Sequence, residues 1–233
     1  SSLYYHRIGI YDGDTLQCTV DAEGKVHQPL NSDRITSWEA CGVTDDFVWT
    51  NKDLKTFQGV YQGNHHVISG ALFCENSAGL FSSLEGAVVN LRMEHCASIA
   101  NTMYQAIVAG ISSGTVSNCS VSDSIVVSAN TDAYTGAIAG LADLNSVISY
   151  NTSENNRIMN DGNAAGGIVG HSYVSVRDCL VNGGAVSGED CTGGIVGMVA
   201  NSAEGIFIHG CQSSANISGK YHIGGICGYY MQN

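Results

Sequence analysis

The sequence is poor in charged residues, proline and strong helix formers, and each shortage excludes a class of structure. Charged residues make up 13% of the 233 residues, and proline occurs once, as Pro29. Glycine, by contrast, occurs 29 times, against a usual frequency of about 7%. A chain rich in glycine, serine, alanine and valine disfavours helices and favours short strands joined by tight turns. A helical bundle is therefore excluded.

Basic residues are also scarce. Nine Lys and Arg stand against 21 Asp and Glu, which gives a net charge of −12 at pH 7. This balance predicts no nucleic-acid partner and no binding to anionic membranes, because both need a basic surface. No apolar run approaches the roughly 18 residues of a membrane span, so we expect no membrane insertion. The chain begins SSLYYHRIGI, with neither an initiator Met nor a signal-peptide pattern. We interpret it as a mature or excised piece of a longer precursor, which favours export.

The nine cysteines form no Cys-x-x-Cys pair and are odd in number. A fully paired disulfide framework within one chain is therefore impossible, and the usual zinc pattern is missing. The sequence predicts no metal site and no cofactor, and it favours small buried apolar side chains over disulfides for most of these cysteines.

A glycine-rich segment recurs along the chain. Its copies are AGLFSSL at 78–84, AIVAGI at 106–111, GAIAGL at 136–141, GGIVGH at 166–171, GGIVGM at 193–198 and GGICGY at 224–229. Aligning Ser82 with the closing glycines of the other copies gives intervals of 28, 30, 30, 27 and 31 residues. We expect the glycine pairs at 166–167, 193–194 and 224–225 to serve either a positive φ or a close approach between neighbouring coils.

A second segment follows each of the first five copies and predicts columns of stacked residues. The apolar column, predicted to face the core, is Val88, Val116, Val147, Val176 and Ile208. A polar column, predicted to lie at a bend with left-handed backbone, is Asn90, Asn118, Ser149, Asp178 and Gly210. The third column is Leu91, Cys119, Tyr150, Cys179 and Cys211. Parallel stacking separates neighbouring Cβ atoms by about 4.8 Å, whereas a disulfide needs about 3.8 Å, so Cys179 and Cys211 are predicted to be adjacent free thiols.

A period near thirty residues with short apolar runs predicts a solenoid. Composition excludes helical solenoids, and the lack of a leucine pattern excludes leucine-rich repeats. The predicted fold is an all-β parallel β-helix of about five to six coils over residues 55–233. Residues 1–54 do not repeat and contain Trp38, Trp49 and Pro29; we interpret them as an N-terminal cap or small subdomain, partly β, because an open solenoid end exposes the core and strand edges.

Several of these motifs resemble the GLUG-repeat family. The resemblance rests on GGIVG at 166–170 and 193–197, GGICG at 224–228, TVSNC at 115–119 and the leading segment FQGVYQGNHHVISG at 57–70. It covers about residues 55–233. It implies a parallel β-helix from large secreted bacterial proteins, including adhesin-like surface proteins and non-catalytic parts of IgA-protease-type polypeptides, and it supplies no active site. The segments at 136–141 and 78–84 depart from the motif, since Ala137 replaces the second glycine and Ser82 the closing one.

Parallel β-helices also include polysaccharide lyases and hydrolases, and each of these enzyme classes needs particular side chains in a groove. A lyase needs a cationic group in a groove, and residues 55–233 offer only the scattered Lys55, Arg92, Arg157, Arg177 and Lys220. A hydrolase needs two carboxylates about 5–10 Å apart. Asp143, Asp178 and Glu204 follow successive repeat strands and could line one face, but isolated acids on an acidic protein more often belong to solvated surface. We therefore predict no catalytic residues.

The remaining polar motifs favour structural roles. The neighbours His65 and His66 lie in a turn, and His171 shares a repeat position with Ile111, Leu141, Met198 and Tyr229. The sequences DGDT at 12–15 and NDGN at 160–163 could offer oxygen ligands to Ca²⁺, but both are turn sequences first. Asn118, Asn151 and Asn216 head glycosylation sequons, which matter only in a eukaryotic secretory host.

Two function hypotheses follow from these patterns. The first is a non-enzymatic extracellular β-solenoid that acts as an adhesin-like surface, a stalk or a self-assembling structural protein, with a glycan or a host or cell-surface protein as its partner. The second is a carbohydrate-active enzyme or glycan-binding module on the same fold. The final coil is expected to be covered by further repeats or by a second molecule in a head-to-tail array, because Ile223, Ile226, Cys227 and Tyr229 would otherwise leave part of the core open.

Overall fold

The computed structural model describes residues 8–12, 15–20, 26–27, 56–75, 78–201 and 205–232. Within these residues every regular element is a strand. From residue 60 onward the strands form five parallel sheets that run the length of the molecule, so the predicted β-helix is confirmed. None of the described residues forms a helix that could span a membrane.

The sheets are lettered in the order in which a complete coil visits them. Sheet A contains Val60–Gln62, Ala87–Val89, Thr115–Ser117, Val147–Ser149, Val176–Arg177 and Ile208–His209. Sheet B contains Val67–Ser69, Arg92–Glu94, Ser120–Ser122, Thr152–Glu154, Leu180–Asn182 and Gln212–Ser213. Sheet C contains Leu72–Glu75, Ala97–Ala100, Ile125–Ser128, Arg157–Asn160, Ala185–Gly188 and Asn216–Gly219.

Sheet D contains Tyr104–Gln105, Tyr134–Gly136, Ala164–Gly166, Thr192–Gly193 and Ile223–Gly224. Sheet E contains Phe81–Leu84, Ala109–Ser112, Ala139–Ala142, Val169–Ser172, Val196–Asn201 and Cys227–Gln232. The chain passes sheet D five times and each other sheet six times, which makes about five complete turns. We number the six passes as coils 1 to 6, beginning at residues 60, 87, 115, 147, 176 and 208.

The first part of the chain has a different architecture. Ile8–Asp12, Thr15–Val20 and Val26–His27 form a three-stranded antiparallel sheet. The expectation of partial β structure in residues 1–54 is therefore met, while their role as a cap stays a prediction. Trp38, Trp49 and Pro29 lie outside the described residues.

The apolar column of sheet A confirms the predicted stacking with one correction. Val116 pairs with Ile148, which in turn pairs with Val176. Val116, Ile148 and Val176 are at most 1% exposed, whereas Val147, which the sequence placed in this column, is 49% exposed. The prediction for Val147 was wrong by one residue, because two adjacent apolar residues at 147–148 gave the periodicity no means of choosing between them.

The same shift corrects the two columns beside it. Tyr150, and not Ser149, occupies the bend, with a φ of 56°. Its column is otherwise as predicted, with left-handed backbone at Asn90, Asn118, Asp178 and Gly210. Asn151 then takes the place predicted for Tyr150 between Cys119 and Cys179. A second left-handed column, which the sequence did not reveal, turns the chain between sheets B and C at Gly70, His95, Asp123, Asn155 and Gly183.

Buried amide side chains hold these two bends together from coil to coil. The backbone N–H of Cys119 donates to Oδ1 of Asn151 at 3.0 Å, and Nδ2 of Asn151 donates to the carbonyl of Val116 at 2.9 Å. At the second bend, the N–H of Ser124 donates to Oδ1 of Asn156 at 2.8 Å. Because both amides are buried, these bonds satisfy backbone groups that a bend would otherwise leave unpaired.

The cysteines at the first bend take the same role as the asparagines. Cys179 and Cys211 lie on adjacent coils as predicted, since Leu180 pairs with Gln212. The N–H of Cys179 donates to Sγ of Cys211 at 3.4 Å, and both thiols are free. Cys96, Cys119 and Cys179 are buried, in agreement with their interpretation as small core side chains.

The repeated glycines allow sheet E to pack against sheet D. A Cβ at Gly170 would overlap the backbone N of Thr135, and one at Gly140 would overlap the backbone N of Gln105. In the glycine pairs, a Cβ at Gly167 would overlap the carbonyl oxygen of Gly194 on the next coil. Neither glycine of the 166–167 pair has a positive φ, so close approach between backbones explains that pair.

Candidate functional site

Four aromatic rings form a continuous stack on the outer surface where sheets D and E meet. Tyr104 and Tyr134 occupy matching positions on neighbouring strands of sheet D, with ring centroids 5.6 Å apart and planes inclined by 23°. The imidazole of His171, from sheet E, lies 4.9 Å from the ring of Tyr134 and 4.5 Å from that of Tyr173. We call Tyr104, Tyr134, His171 and Tyr173 the aromatic row.

Two small residues make room for this row. The position next to Tyr134 on sheet D belongs to Ala164, so a methyl group stands there in place of a third tyrosine ring. Gly170 precedes His171 and permits the close packing of sheet E on the backbone of Thr135. The GGIVGH segment thus places its final histidine against the tyrosine of the preceding coil. The sequence correctly placed His171 at the repeat position that it shares with Leu141 and Met198, but it did not predict the contacts of the ring.

Burial keeps the groups of the aromatic row neutral. His171 is 5% exposed, and burial lowers its pKa to about 4, so the imidazole is uncharged at neutral pH. Burial, together with the nearby Tyr173 and Asp143, raises the pKa of Tyr104. Burial likewise raises the pKa of Tyr134. Both phenols therefore keep their protons and remain hydrogen-bond donors.

Polar side chains adjoin the row on both sides. Nδ2 of Asn163 lies 3.4 Å from the hydroxyl of Tyr134. The carboxylate of Asp143 accepts from the backbone N–H of Leu144 at 2.8 Å and from the hydroxyl of Ser113 at 3.4 Å. Nε2 of His171 is buried and has no partner. The row therefore supplies phenol donors with the Asp143 carboxylate nearby, while the imidazole nitrogen of His171 stays buried.

The acids that the sequence considered for hydrolysis are not brought together. Asp143 follows a strand of sheet E, whereas Asp178 lies at the left-handed bend after sheet A. Glu204 lies outside the described residues. Because a glycosidase needs two carboxylates facing one bond, the pair of Asp143 and Asp178 does not provide that arrangement. Asp178 has the structural position that its column predicted.

The basic residues considered for a lyase are also dispersed. Arg92 pairs with Glu94 at 2.9 Å, and Lys220 pairs with Glu189 at 2.7 Å, both on the surface. Arg157 and Arg177 are exposed on sheets C and A. Lys55 lies outside the described residues.

The remaining predicted motifs occupy turns or surfaces. In NDGN, Oδ1 of Asn160 accepts from the N–H of Gly162 at 3.0 Å, and Nδ2 donates to the carbonyls of Ala133 and Ala164, so this side chain serves the turn. The central residues of DGDT lie outside the described residues. His65 and His66 are exposed.

The three sequons differ in accessibility. Asn118 and Asn216 are exposed, whereas Asn151 is 1% exposed and bonded within the core. The folded chain therefore offers the first two alone as acceptors for glycosylation.

A second cluster joins residues from coils 5 and 6. Thr192 pairs with Ile223 across sheet D, which places Cys191 beside His222. Nδ1 of His222 lies 2.6 Å from Oδ1 of Asp190. Ligand atoms of Asp190, Cys191 and His222 all lie within 4.8 Å of one another. Sequence reasoning missed this cluster because it searched for cysteines close together in sequence, whereas His222 follows Cys191 by one coil.

The cluster is not arranged for nucleophilic catalysis. Burial, and then the adjacent Asp190 carboxylate, raise the pKa of Cys191 to about 12, so the thiol stays protonated at neutral pH. A catalytic cysteine needs a lowered pKa. The carboxylate of Asp190 itself has a lowered pKa, because its bonds to His222 and Cys191 outweigh the opposing effect of burial.

No family model, no curated protein and no solved structure matches this chain. The resemblance to GLUG repeats rests on the motifs themselves and stays a prediction.

Proposed function

We propose that this chain is a non-enzymatic extracellular β-solenoid that acts as an adhesin-like surface or stalk. The observation that carries this proposal is the aromatic row, in which the tyrosine and histidine rings stack on one another between successive coils. Tyr104, Tyr134 and His171 turn their ring faces toward one another. Such stacking stabilises a ladder and leaves the two tyrosines partly exposed to solvent.

The chemistry of the row favours a neutral, hydroxyl-rich ligand. Its half-buried phenols remain donors, and Asp143 supplies a fixed acceptor beside them. A net charge of −12 repels anionic ligands. A neutral glycan on a cell surface satisfies both conditions, and it agrees with the adhesin function that the GLUG resemblance implies.

Glycan-array binding tests the adhesin proposal. We expect the chain to bind neutral glycans and Tyr134→Ala to lose binding, while Tyr150→Asn, a change at an exposed tyrosine outside the row, keeps it. Tyr134→Phe separates the roles of the ring and the hydroxyl, because it keeps the stacking and removes one donor. Retained binding in Tyr134→Ala would remove the row from the proposal.

The carbohydrate-active alternative predicts turnover and not binding alone. Any glycan that binds should be incubated with the chain, and reducing ends should be measured over time. Release that Asp143→Asn abolishes would overturn the non-enzymatic proposal, whereas binding without release supports it.

Self-association is part of the same proposal. Tyr221, Ile223, Ile226 and Tyr229 on coil 6 are between 37% and 62% exposed, and no strand of the described residues pairs with the outer side of coil 6. Apolar side chains at such an edge favour head-to-tail stacking. Light scattering at increasing concentration should show mass growth, and Ile223→Lys should suppress it. A monomer at every concentration would exclude this part of the proposal.

A further inference from the structure

The cluster of Asp190, Cys191 and His222 contains three of the side-chain types that bind zinc. Ligand atoms of the three residues lie within 4.8 Å of one another. They come from two coils, since Asp190 and Cys191 precede the coil 5 strand of sheet D and His222 precedes the coil 6 strand. The site thus spans two coils of the solenoid.

Hydrogen bonds that each involve a backbone group hold the three residues in place. The N–H of Cys191 donates to Oδ1 of Asp190 at 2.9 Å, and the hydroxyl of Thr192 donates to the carbonyl of Asp190 at 2.7 Å. The N–H of Thr192 donates to the carbonyl of His222 at 3.0 Å. The ring of His222 also packs against Tyr229, with centroids 4.8 Å apart. The backbone around all three ligands is therefore ordered before any ion arrives, which lowers the entropic cost of binding.

The cluster is closed on one side and open on the other. Cys191 is 5% exposed, whereas the side chains of Asp190 and His222 are 41% and 50% exposed. An ion could therefore enter from solvent, contact the buried sulfur and keep a water molecule on the open side.

We propose that Asp190, Cys191 and His222 bind one Zn²⁺ ion, with water as the fourth ligand. Thiolate, imidazole and carboxylate are the ligands of zinc sites, and three protein ligands with one open position are a known zinc arrangement. One carboxylate and one thiolate balance the charge of the ion. The sulfur and nitrogen ligands disfavour Ca²⁺ and Mg²⁺, which take oxygen ligands.

Zinc binding requires a small rearrangement. Ligands about 2.0–2.1 Å from a tetrahedral ion lie about 3.3 Å from each other, so the 2.6 Å separation between Asp190 Oδ1 and His222 Nδ1 must widen. The exposed side chains of these two residues can rotate to allow it. The thiol of Cys191 releases its proton when the sulfur binds the ion.

The proposed ion would join coil 6 to the rest of the solenoid. Tyr221 and Ile223, on either side of His222, are 62% and 49% exposed, so coil 6 gains little from burial at this point. An ion bound to both coils would stabilise coil 6, which predicts slower amide exchange in residues 222–224 when zinc is present.

Metal titration of the full reduced chain, stripped with chelator, tests the site. Affinity is measured by competition with a chromophoric chelator. Co²⁺ serves as the spectroscopic probe, because thiolate ligation gives a charge-transfer absorption. We expect one equivalent of tight binding, a cobalt–thiolate band, and proton release measured by calorimetry in two buffers of different ionisation enthalpy.

Four variants assign the ligands. Cys191→Ser should abolish the cobalt–thiolate band, and His222→Gln should weaken zinc at least tenfold, since even loss of a supporting outer residue costs about 10–100-fold. The matched controls Cys211→Ser and His209→Gln should bind as the parent does.

Two results would overturn the proposal. One is a cobalt–thiolate band that persists in Cys191→Ser, which would assign binding to another cysteine. The other is a zinc affinity of His222→Gln equal to that of the parent chain, which would show adventitious binding only. If Cys191→Ser fails to fold by circular dichroism, His222→Gln still decides, because its side chain is half exposed and contributes little to the core.

Discussion

Replacing Ile148 with alanine tests the register of the solenoid at the residue where sequence and structure disagree. Ile148 is 1% exposed and packs in the core column between Val116 and Val176. The change removes three carbon atoms at about 0.8 kcal/mol each, or about 2.4 kcal/mol of transfer free energy. The cavity left behind adds to this, so the expected loss in free energy of unfolding is about 3–4 kcal/mol.

The matched control is Val147→Ala. Val147 is 49% exposed, and surface substitutions of this kind usually change stability by less than about 0.5 kcal/mol. In thermal and urea unfolding followed by circular dichroism, the Tm of Ile148→Ala should be lower by about 6–16 °C, and that of Val147→Ala should stay near the parent value.

The two outcomes separate the two registers. A larger loss for Val147→Ala than for Ile148→Ala would mean that coil 4 is shifted by one residue and would refute the core column described above. Because solenoids can unfold in parts, amide exchange should also show the loss concentrated in coils 3 to 5.

Three further outcomes follow from the structure. Gly194→Ala should lower the free energy of unfolding by about 1–3 kcal/mol, because the new Cβ would overlap the carbonyl of Gly225. Its control, Gly225→Ala, should change that free energy by less than about 0.5 kcal/mol, because no atom lies within 4 Å of a Cβ there. Equal losses for the two variants in urea unfolding would contradict the close approach between these backbones. Tyr150→Asn should raise the free energy of unfolding by about 0.5–1 kcal/mol, because the left-handed φ of 56° is strained for tyrosine and the side chain is 61% exposed. A lower Tm in this variant would contradict that strain. Burial lowers the pKa of His171 to about 4 in the folded chain, below the ordinary value near 6.5. Its contribution to stability is therefore fully present above about pH 6.5, and the free energy of unfolding falls by about 3 kcal/mol as the pH drops to 4. His171→Phe should remove this part of the pH dependence of urea unfolding, and an unchanged pH profile would show that His171 is not its source.

The sequence was sufficient for the architecture because the evidence for a solenoid is spread over the whole chain. A repeat near thirty residues, strand-forming composition and glycine at matched positions all indicate the same stacking. The closing glycines of sheet E lie in the predicted column, and Asp178 has the predicted left-handed backbone. Neither conclusion depends on the alignment of any single residue.

The sequence could not predict the local register where two adjacent residues were equally apolar candidates for the core position. Val147 and Ile148 are adjacent and similar, so hydrophobicity could not choose between them. The choice depends on Asn151, whose buried amide pairs with Cys119 and Val116 of the preceding coil. Burial of an amide is favourable only with such partners, and those partners exist only in the stacked structure.

The amino-acid sequence by itself determined the solenoid, its period and the identity of its glycine column, because these depend on composition and on spacing within one coil. The tertiary structure alone decided which side chains meet between coils. Tyr134 of sheet D contacts His171 of sheet E on the next coil, and Cys191 meets His222 because sheet D pairs their coils. Both sites join residues of two successive coils, and such residues lie side by side only when the coils stack.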